Sequence, residues 1–391
     1  MISITLRQRR DLTTRRHHLA GDAASPEQTA RSLVALHATD PATIFLSVLA
    51  RCAGSSLDDI HASLYRERSL VRWMAMRRTL FVLPRESVAM VQAAASAGVA
   101  STMRKHLIKQ LEISGTEPVI AGDVADWLDD VEAGVHRALL ERGTATAPQL
   151  STDEPRLRTS ILPRAGAEVP QNLTSRLLVL MGTEAKIVRG ATNGGWTSRR
   201  HQWEPVDTWW PGGLPVVETG AARTELVRAW LTAFGPAPVA DLEWWTGWTK
   251  TAVRAALAAL PVREIDLHGA SAVMLADEEL DLSAVEPVVT LLPSLDATPM
   301  GWKQRDWFFG IEQAEVFDRN GNIGPTVWWD GQVIGGWAIG LGGSVRTAVL
   351  ADRGRDVAEL VDRAAAVLQD RLGGARVIPS FRTPLEKTLA T

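Results

Sequence analysis

The strongest constraint on the fold of this chain is a run of three helices and two strands in its third quarter. Apolar residues recur with helical spacing over 222–233, 239–246 and 249–260. A Pro-Ala-Pro break follows the first of these helices, and a glycine follows the second. Alternating apolar residues then centre on Ile265 and Val273, on either side of a His-Gly turn. This order predicts a winged helix-turn-helix module.

A similar order of elements occurs twice upstream. In the first module we predict helices near 3–19, 26–36, 41–53 and 57–66, followed by strands at 71–75 and 79–83. A helix near 86–113 connects this module to the second one. In the second module we predict helices at 135–140, 147–150 and 173–181, and a hairpin with strands 186–189 and 196–200 around an Asn-Gly-Gly turn. The stretch 152–170, rich in Pro, Arg and Gly, is predicted to be a loop.

Beyond residue 286 the pattern changes to short strands separated by Pro, Gly and Asn. We predict strands at 288–292, 307–311, 315–317, 326–329, 333–338 and 345–349, then a helix at 356–371 and a closing strand near 375–380. So many short strands in so few residues indicate a small barrel or a strongly curved sheet.

The predicted fold class is therefore α+β, with three tandem winged helix-turn-helix modules scaffolded by a C-terminal β-barrel-like domain. The first module takes residues 1–115, including the connecting helix. The second takes 116–215, the third takes 216–285, and the barrel-like domain takes 286–391.

Composition excludes several classes of protein. The chain has one cysteine, Cys52, which rules out a disulfide framework and cysteine-rich zinc sites and fits a reducing compartment. No apolar run reaches about 18 residues, and the N-terminus lacks the apolar core of a signal peptide. We therefore expect a cytoplasmic protein. The histidines are scattered and no nucleophile elbow is present, so we predict neither a metal nor a cofactor.

Charge is distributed unevenly along the chain. The net charge is −3, yet residues 1–84 contain 12 Lys and Arg against 7 Asp and Glu, a local charge of +5. A local basic face of this kind can contact phosphates although the whole chain is acidic. A solvated, arginine-rich helix explains the same charges equally well.

A short polar turn between two helical patterns is the candidate site. His37, Thr39 and Asp40 lie within four residues, just before the helix that Pro41 starts. A helix N-terminus carries unpaired N–H groups and a partial positive charge. The three side chains could hold a water molecule there, or they could form only a capped corner between helices.

The order of these elements resembles one known family, the winged-helix alkylpurine DNA glycosylases of the AlkZ/YcaQ type. The resemblance covers nearly the whole chain. Its local anchors are Leu-His-Ala-Thr-Asp-Pro at 36–41, Arg-Arg-Thr-Leu-Phe-Val at 77–82, and Leu-Leu-Pro-Ser-Leu-Asp at 291–296 with Arg305. The resemblance implies three tandem winged helices held in a C-shape by a β-barrel domain.

The resemblance also implies a catalytic motif, Gln-apolar-Gln or Gln-apolar-Asp. The matching positions here are His37, Ala38 and Thr39, which keep hydrogen-bonding groups but no amide. In this chemistry the alkylated base already carries a positive charge and leaves with little help. The site therefore positions a water molecule and stabilises the sugar cation. His37 would accept the proton of that water, Thr39 would orient it, and Asp40 would stabilise the sugar cation or cap the helix.

The implied partner is double-stranded DNA bearing alkylated bases, bound by a monomer. We expect Arg15, Arg16, Arg77, Arg78, Lys186, Arg199, Arg200, Lys303, Arg305 and Asn320 to contact DNA. The implied activity is monofunctional hydrolysis of the N-glycosidic bond of bulky cationic N7- or N3-alkylated purines. DNA crosslinks formed through such purines could be substrates of the same kind. Its role would be DNA repair or self-resistance to a genotoxic natural product. A non-catalytic DNA-binding protein and a transcriptional regulator remain the alternatives.

Overall fold

The computed structural model describes residues 2–162 and 170–391, and the elements below are those of these residues. Their helices are α1 (Leu6–Arg16), α2 (Pro26–Ser32), α3 (Pro41–Arg51), α4 (Leu57–His61), α5 (Val88–Val91), α6 (Ala97–Ser114), α7 (Val124–Arg142), α8 (Ala147–Asp153), α9 (Leu173–Thr183), α10 (Thr219–Phe234), α11 (Val239–Thr246), α12 (Lys250–Ala258), α13 (Gln313–Val316), α14 (Arg355–Leu372) and α15 (Pro384–Leu389).

The strands of the described residues are mostly short. They are β1 (Ser3–Ile4), β2 (Leu36–His37), β3 (Leu70–Met74), β4 (Leu80–Pro84), β5 (Thr116–Glu117), β6 (Ala145–Thr146), β7 (Ser160–Ile161), β8 (Gln171–Asn172), β9 (Ile187–Thr192), β10 (His201–Pro205), β11 (Val262–Leu267), β12 (Ala270–Leu275), β13 (Val289–Leu292), β14 (Thr326–Trp329), β15 (Gln332–Ile339) and β16 (Val345–Val349). Single helical turns add Ala62–Arg66, Met76–Arg78, Arg85–Ser87, Gln92–Ser96, Pro155–Arg158, Val206–Thr208 and Asp306–Phe308.

The chain forms two compact units. The first consists of Met1–Leu70, Phe81–Pro84 and Thr224–Thr391. The second consists of Val71–Leu80 and Arg85–Arg223. The mixture of helices and sheets confirms the predicted α+β class.

In the first unit, the predicted helices, turn and hairpin of the third quarter are confirmed as α10, α11, α12, β11 and β12. Pairing of Val262 with Leu275 and of Leu267 with Ala270 defines an antiparallel hairpin with a tight turn. The N-terminal strand β1 adds to this hairpin in parallel. The chain's first residues therefore complete a sheet whose other strands come some 260 residues later.

The C-terminal part of the first unit contains an antiparallel sheet in the order β13-β14-β15-β16. In the described residues, β13 and β16 are its two edges, so this sheet is open. Of the two predicted forms, a small barrel or a strongly curved sheet, a closed barrel is therefore not found among these residues. Helix α14 packs on the sheet with its apolar face, which confirms the helix predicted at 356–371.

Three strands predicted in this region are wrong. Residues 307–311 form a helical turn and a single bridge, and residues 315–317 fall largely in α13, since a short apolar run does not distinguish helix from strand. Residues 375–380 are irregular. There the N–H of Ser380 donates to the carboxylate of Asp40 at 2.8 Å instead of joining a strand ladder.

The second unit has a helical core of α6, α7 and α9, into which Trp203 of β10 also packs. Strands β9 and β10 form the predicted hairpin, but β10 begins at His201, so the strand predicted at 196–200 is a loop. Two glycines with positive φ, at 194 and 195, widen the connection beyond a two-residue turn.

The loop predicted at 152–170 is correct only in part. Within it, α8 continues to Asp153, a helical turn covers Pro155–Arg158, and β7 pairs with β8. A turn of this kind satisfies its own backbone groups, which composition alone does not reveal. The part of the prediction at 163–169 lies outside the described residues.

Candidate active site

Two backbone features shape the polar turn at 36–41: a left-handed residue before it and a short strand pairing at its start. Val34 adopts the left-handed conformation with φ 62°, which turns the chain out of α2. The chain then becomes extended, and β2 pairs antiparallel with β4 through Leu36 opposite Val82 and His37 opposite Phe81. The sheet therefore fixes the direction in which the turn leaves α2.

The side chains of the turn differ in exposure. Ala38 is fully buried, His37 is half-buried, and Thr39 is exposed. The imidazole of His37 makes an edge-on contact with the ring of Phe81, with centroids 5.5 Å apart. Because side chains alternate along extended backbone, His37 and Thr39 are directed to the side opposite Ala38. Thr39 is the exposed polar residue of the turn, whereas His37 is only partly accessible and its Nδ1 atom is buried.

Asp40 has a different environment. It is 4% exposed, and its Oδ1 accepts the N–H of Ala42 at 3.3 Å, which caps α3. Its Oδ2 accepts both the N–H and the hydroxyl of Ser380, at 2.8 and 3.0 Å. Three donors thus occupy the carboxylate, and they join the start of α3 to the C-terminal segment. This geometry favours the capping interpretation of Asp40 over direct contact with a sugar.

Helix α3, which follows the turn, is held along its length by the segment after β13. The hydroxyl of Thr43 donates to the Ser294 carbonyl, and that of Ser47 donates to Asp296, both at 2.8 Å. Arg51 forms a two-pronged ion pair with the same carboxylate, at 2.6 and 2.8 Å, and both side chains are fully buried. The polar residues of α3 therefore face protein rather than water.

The sequence indicated only one side of these contacts between α3 and the segment after β13. The motif at 291–296 was singled out by resemblance, but its partners on α3 lie about 250 positions away. Burial alone would raise the pKa of Asp296, but the adjacent Arg51 guanidinium and the donors of Thr298 and Ser47 lower it below its usual range. The ion pair therefore stays charged at neutral pH and fixes α3 rigidly behind the turn.

A small pocket, partly open to solvent, lies beside the start of α3. Asp40 and Thr43 contribute to its wall, together with Pro293, Trp337 and Pro379. Its lining is mainly apolar, and it lies on the anchored side of α3. The exposed side chain of Thr39 does not line it.

Two of the predicted DNA contacts in the first unit bond to the protein itself. Arg15 donates to the carbonyls of Asp281 and Ser283 at 2.7 and 3.1 Å. Arg16 forms an ion pair with Glu278 at 2.7 Å. Both guanidinium groups hold the segment after β12 against α1.

The remaining predicted DNA contacts of the first unit are Arg305, Lys303 and Asn320, and they differ in their contacts with the protein. Arg305 donates to the carbonyl of Trp302 at 3.0 Å and lies 5.0 Å from the ring centre of Trp244. Lys303 and Asn320 are exposed. The last two are therefore the more accessible of the set.

In the second unit, Arg77 and Arg78 occupy a tight turn between β3 and β4. Both adopt left-handed backbone conformations, with φ 54° and 59°, and both side chains are exposed. The turn is closed by the N–H of Ala75, which donates to the Thr79 carbonyl at 2.9 Å. Two adjacent non-glycine residues with positive φ are costly, so the fold holds this turn in place.

Arg199 and Arg200 are exposed in the loop before β10. Lys186 instead joins an ionic cluster, where its ammonium contacts the carboxylates of Glu132 and Glu184. Two acidic neighbours already compensate that charge, so Lys186 has less to offer a phosphate than the two arginines.

Comparison with known proteins gives a consistent result. The family model described as "DNA glycosylase AlkZ-like" matches residues 30–376. Among solved structures, the Streptomyces sahachiroi DNA glycosylase AlkZ superimposes with a TM-score of 0.73 at 19% identity, covering 97% of this chain and 99% of that one. No curated protein matches the sequence. Within the described residues, no helix combines the length and apolar character needed to cross a membrane.

Proposed function

The chain belongs to the AlkZ-like DNA glycosylase family and is a glycosylase enzyme, and from this premise we propose that its substrates are bulky, cationic N7- or N3-alkylated purines in double-stranded DNA. The observation that carries the proposal is the polar turn of half-buried His37 and exposed Thr39, held by an anchored helix. An open turn admits a large adduct that an enclosed pocket would reject.

The proposed reaction breaks the bond between C1′ of the sugar and the nitrogen of the base. The electron pair leaves with the base and neutralises its positive charge, so the leaving group needs no protonation. Water attacks the resulting oxocarbenium-like carbon, and His37 accepts the proton that the water loses. Thr39 orients the water, while Asp40 holds α3 in position through Ser380.

The proposed DNA contacts are the exposed basic residues, which supply affinity that does not depend on sequence. These are Arg77, Arg78, Arg199, Arg200 and Lys303. We also propose that the helices and hairpins form three winged-helix modules with the boundaries 1–115, 116–215 and 216–285, followed by the sheet domain at 286–391. The enzyme would act as a cytoplasmic, nucleoid-associated monomer, with crosslink unhooking and self-resistance as extensions of the same chemistry.

The experiment uses duplex DNA carrying N7-methylguanine and, separately, a bulky N7-guanine adduct. Free base and abasic sites are measured with wild type, His37→Ala and, as a control, the exposed His106→Ala. Wild type and the control release base, and His37→Ala is slower by about 10²–10⁴-fold, the usual contribution of a general base. His37→Gln restores the amide of the family motif and tests whether that group substitutes for imidazole.

Two results would contradict the proposal. If wild type binds both duplexes but releases neither base, the chain is a DNA-binding protein for these lesions. If His37→Ala releases base at the wild-type rate, His37 is not the proton acceptor, and the turn serves only as a capped corner.

A further inference from the structure

The second unit contains a small pocket with two arginines in its wall, here called the basic pocket. Arg72 of β3 and Arg189 of β9 line it together with Trp73, Val179 and Trp203, and it is partly open to solvent rather than an enclosed cavity. The pocket lies outside the polar turn at 36–41, and the proposed glycosylase reaction does not use it.

Arg72 is buried without a counter-charge. It is 4% exposed, and its Nε and Nη1 atoms are buried without a hydrogen-bond partner in the described residues 2–162 and 170–391. An unsatisfied polar group in the interior costs free energy, and a buried cation without a partner costs more. A buried guanidinium is therefore ordinarily paired with an acid, and no such acid is found among the described residues.

Arg189 adds a second positive charge to the same pocket. Its guanidinium lies 5.1 Å from the ring centre of Trp203, which covers one face of the fork. Burial, together with the positive charge of Arg72, lowers the pKa of Arg189 to about 9. The positive charges of Arg72 and Arg189 thus repel each other across the pocket.

The positive charges of the two arginines also affect a nearby histidine, His201. Burial, followed by the charges of Arg189 and Arg72, lowers the pKa of His201 to about 3. Glu204 is the acidic residue closest to His201 in the sequence. It follows Trp203 in β10, so its side chain lies on the face of the strand opposite to that of Trp203. There it accepts a hydrogen bond from the indole of Trp209 at 2.9 Å.

We propose that the basic pocket binds a phosphate group, with Arg72 and Arg189 as the two donors. A guanidinium fork matches the spacing of phosphate oxygens, and two such forks compensate the charge of a phosphate dianion. The phosphate belongs either to the backbone of DNA or to free inorganic phosphate. Both share the chemistry that the pocket recognises, and the experiment separates them.

The first arm measures inorganic phosphate binding to the full chain at constant ionic strength, by calorimetry and by melting temperature. At ten times Kd, phosphate raises the wild-type Tm by about 2 °C relative to chloride. Arg189→Gln binds at least about tenfold more weakly and loses this rise. The control, Arg137→Gln, removes an exposed arginine of the same unit and keeps the wild-type response.

Stability without phosphate separates a binding role from a structural one. If Arg189 serves a ligand, Arg189→Gln keeps or raises the Tm in phosphate-free buffer, because a repelled charge has been removed. Arg72→Gln is expected to behave in the same way. If Arg72→Gln does not fold, the test is made with Arg189→Gln only. The proposal is overturned if phosphate does not stabilise wild type beyond chloride, or if Arg189→Gln responds as wild type does.

The second arm adds saturating undamaged duplex DNA. Loss of phosphate binding in its presence assigns the pocket to a backbone phosphate, whereas unchanged binding assigns it to the free anion. Neither arm depends on base release, so the proposal stands or falls separately from the glycosylase substrate.

Discussion

His17 links the stability of the first unit to pH. The imidazole is fully buried, with Nε2 3.1 Å from the carbonyl of Ala233 and Nδ1 2.9 Å from the hydroxyl of Thr298. Because a carbonyl only accepts, Nε2 carries the proton, and Nδ1 accepts from the hydroxyl. Burial, reinforced by the positive charge of Arg51, lowers the pKa of His17 to about 3. The residue is neutral in the folded protein at any ordinary pH.

The magnitude follows from proton linkage. In the unfolded chain His17 has a pKa of about 6.5, so the unfolded state takes up a proton that the folded state refuses. The free energy of unfolding is therefore unaffected by His17 well above pH 6.5 and decreases as the pH falls below it. Between pH 7 and pH 5 the expected loss is about 2 kcal/mol, from about 1.4 kcal/mol per pH unit.

The assay is equilibrium urea unfolding at pH 7 and pH 5, with wild type and His17→Gln. Glutamine can donate to the Ala233 carbonyl but does not titrate, so the variant loses about 2 kcal/mol less than wild type over this range. Contributions of other groups cancel in the comparison. The control His106→Gln replaces an exposed imidazole and keeps the wild-type pH dependence. Equal pH dependence of wild type and His17→Gln would refute the assignment of His17 as a buried neutral group.

Two further predictions concern a buried ion pair and a pair of exposed arginines. Asp296→Asn leaves the guanidinium of Arg51 buried without its counter-charge, so urea unfolding at pH 7 should show a loss of about 3–5 kcal/mol. The double variant Arg51→Met, Asp296→Leu should recover much of this, and failure to recover it would assign the loss to packing. Arg199→Gln combined with Arg200→Gln removes two exposed cations. The slope of log K against log salt for duplex binding should decrease by about 2, and an unchanged slope would exclude these residues from the DNA contact.

The sequence located the elements well where the signals are local. Asp40 before Pro41 predicted the start of α3, and the structure confirms both the cap and the helix. It failed at 315–317, where three residues do not distinguish strand from helix. It also failed at 196–200, where paired glycines lengthen a loop that was expected to be a tight turn.

The candidate turn was found for similar reasons, but the roles of its residues were not separable from sequence. His37, Thr39 and Asp40 are equally polar in the printed chain. The structure leaves Thr39 exposed and His37 half-buried, whereas Asp40 is occupied by three donors. A carboxylate's partners decide whether it caps a helix or faces solvent, and one of the partners here is 340 positions away.

What the sequence determined by itself is thus the set of helices, hairpins and turns, because caps, prolines, glycines and apolar periodicity act within a few residues. What only the tertiary structure decided is which charges are compensated. Arg51 meets Asp296 across about 250 positions, while Arg72 and Arg189 meet each other and no acid among the described residues. The composition records every charge, but pairing depends on distance and burial in space, and these exist only once the chain has folded.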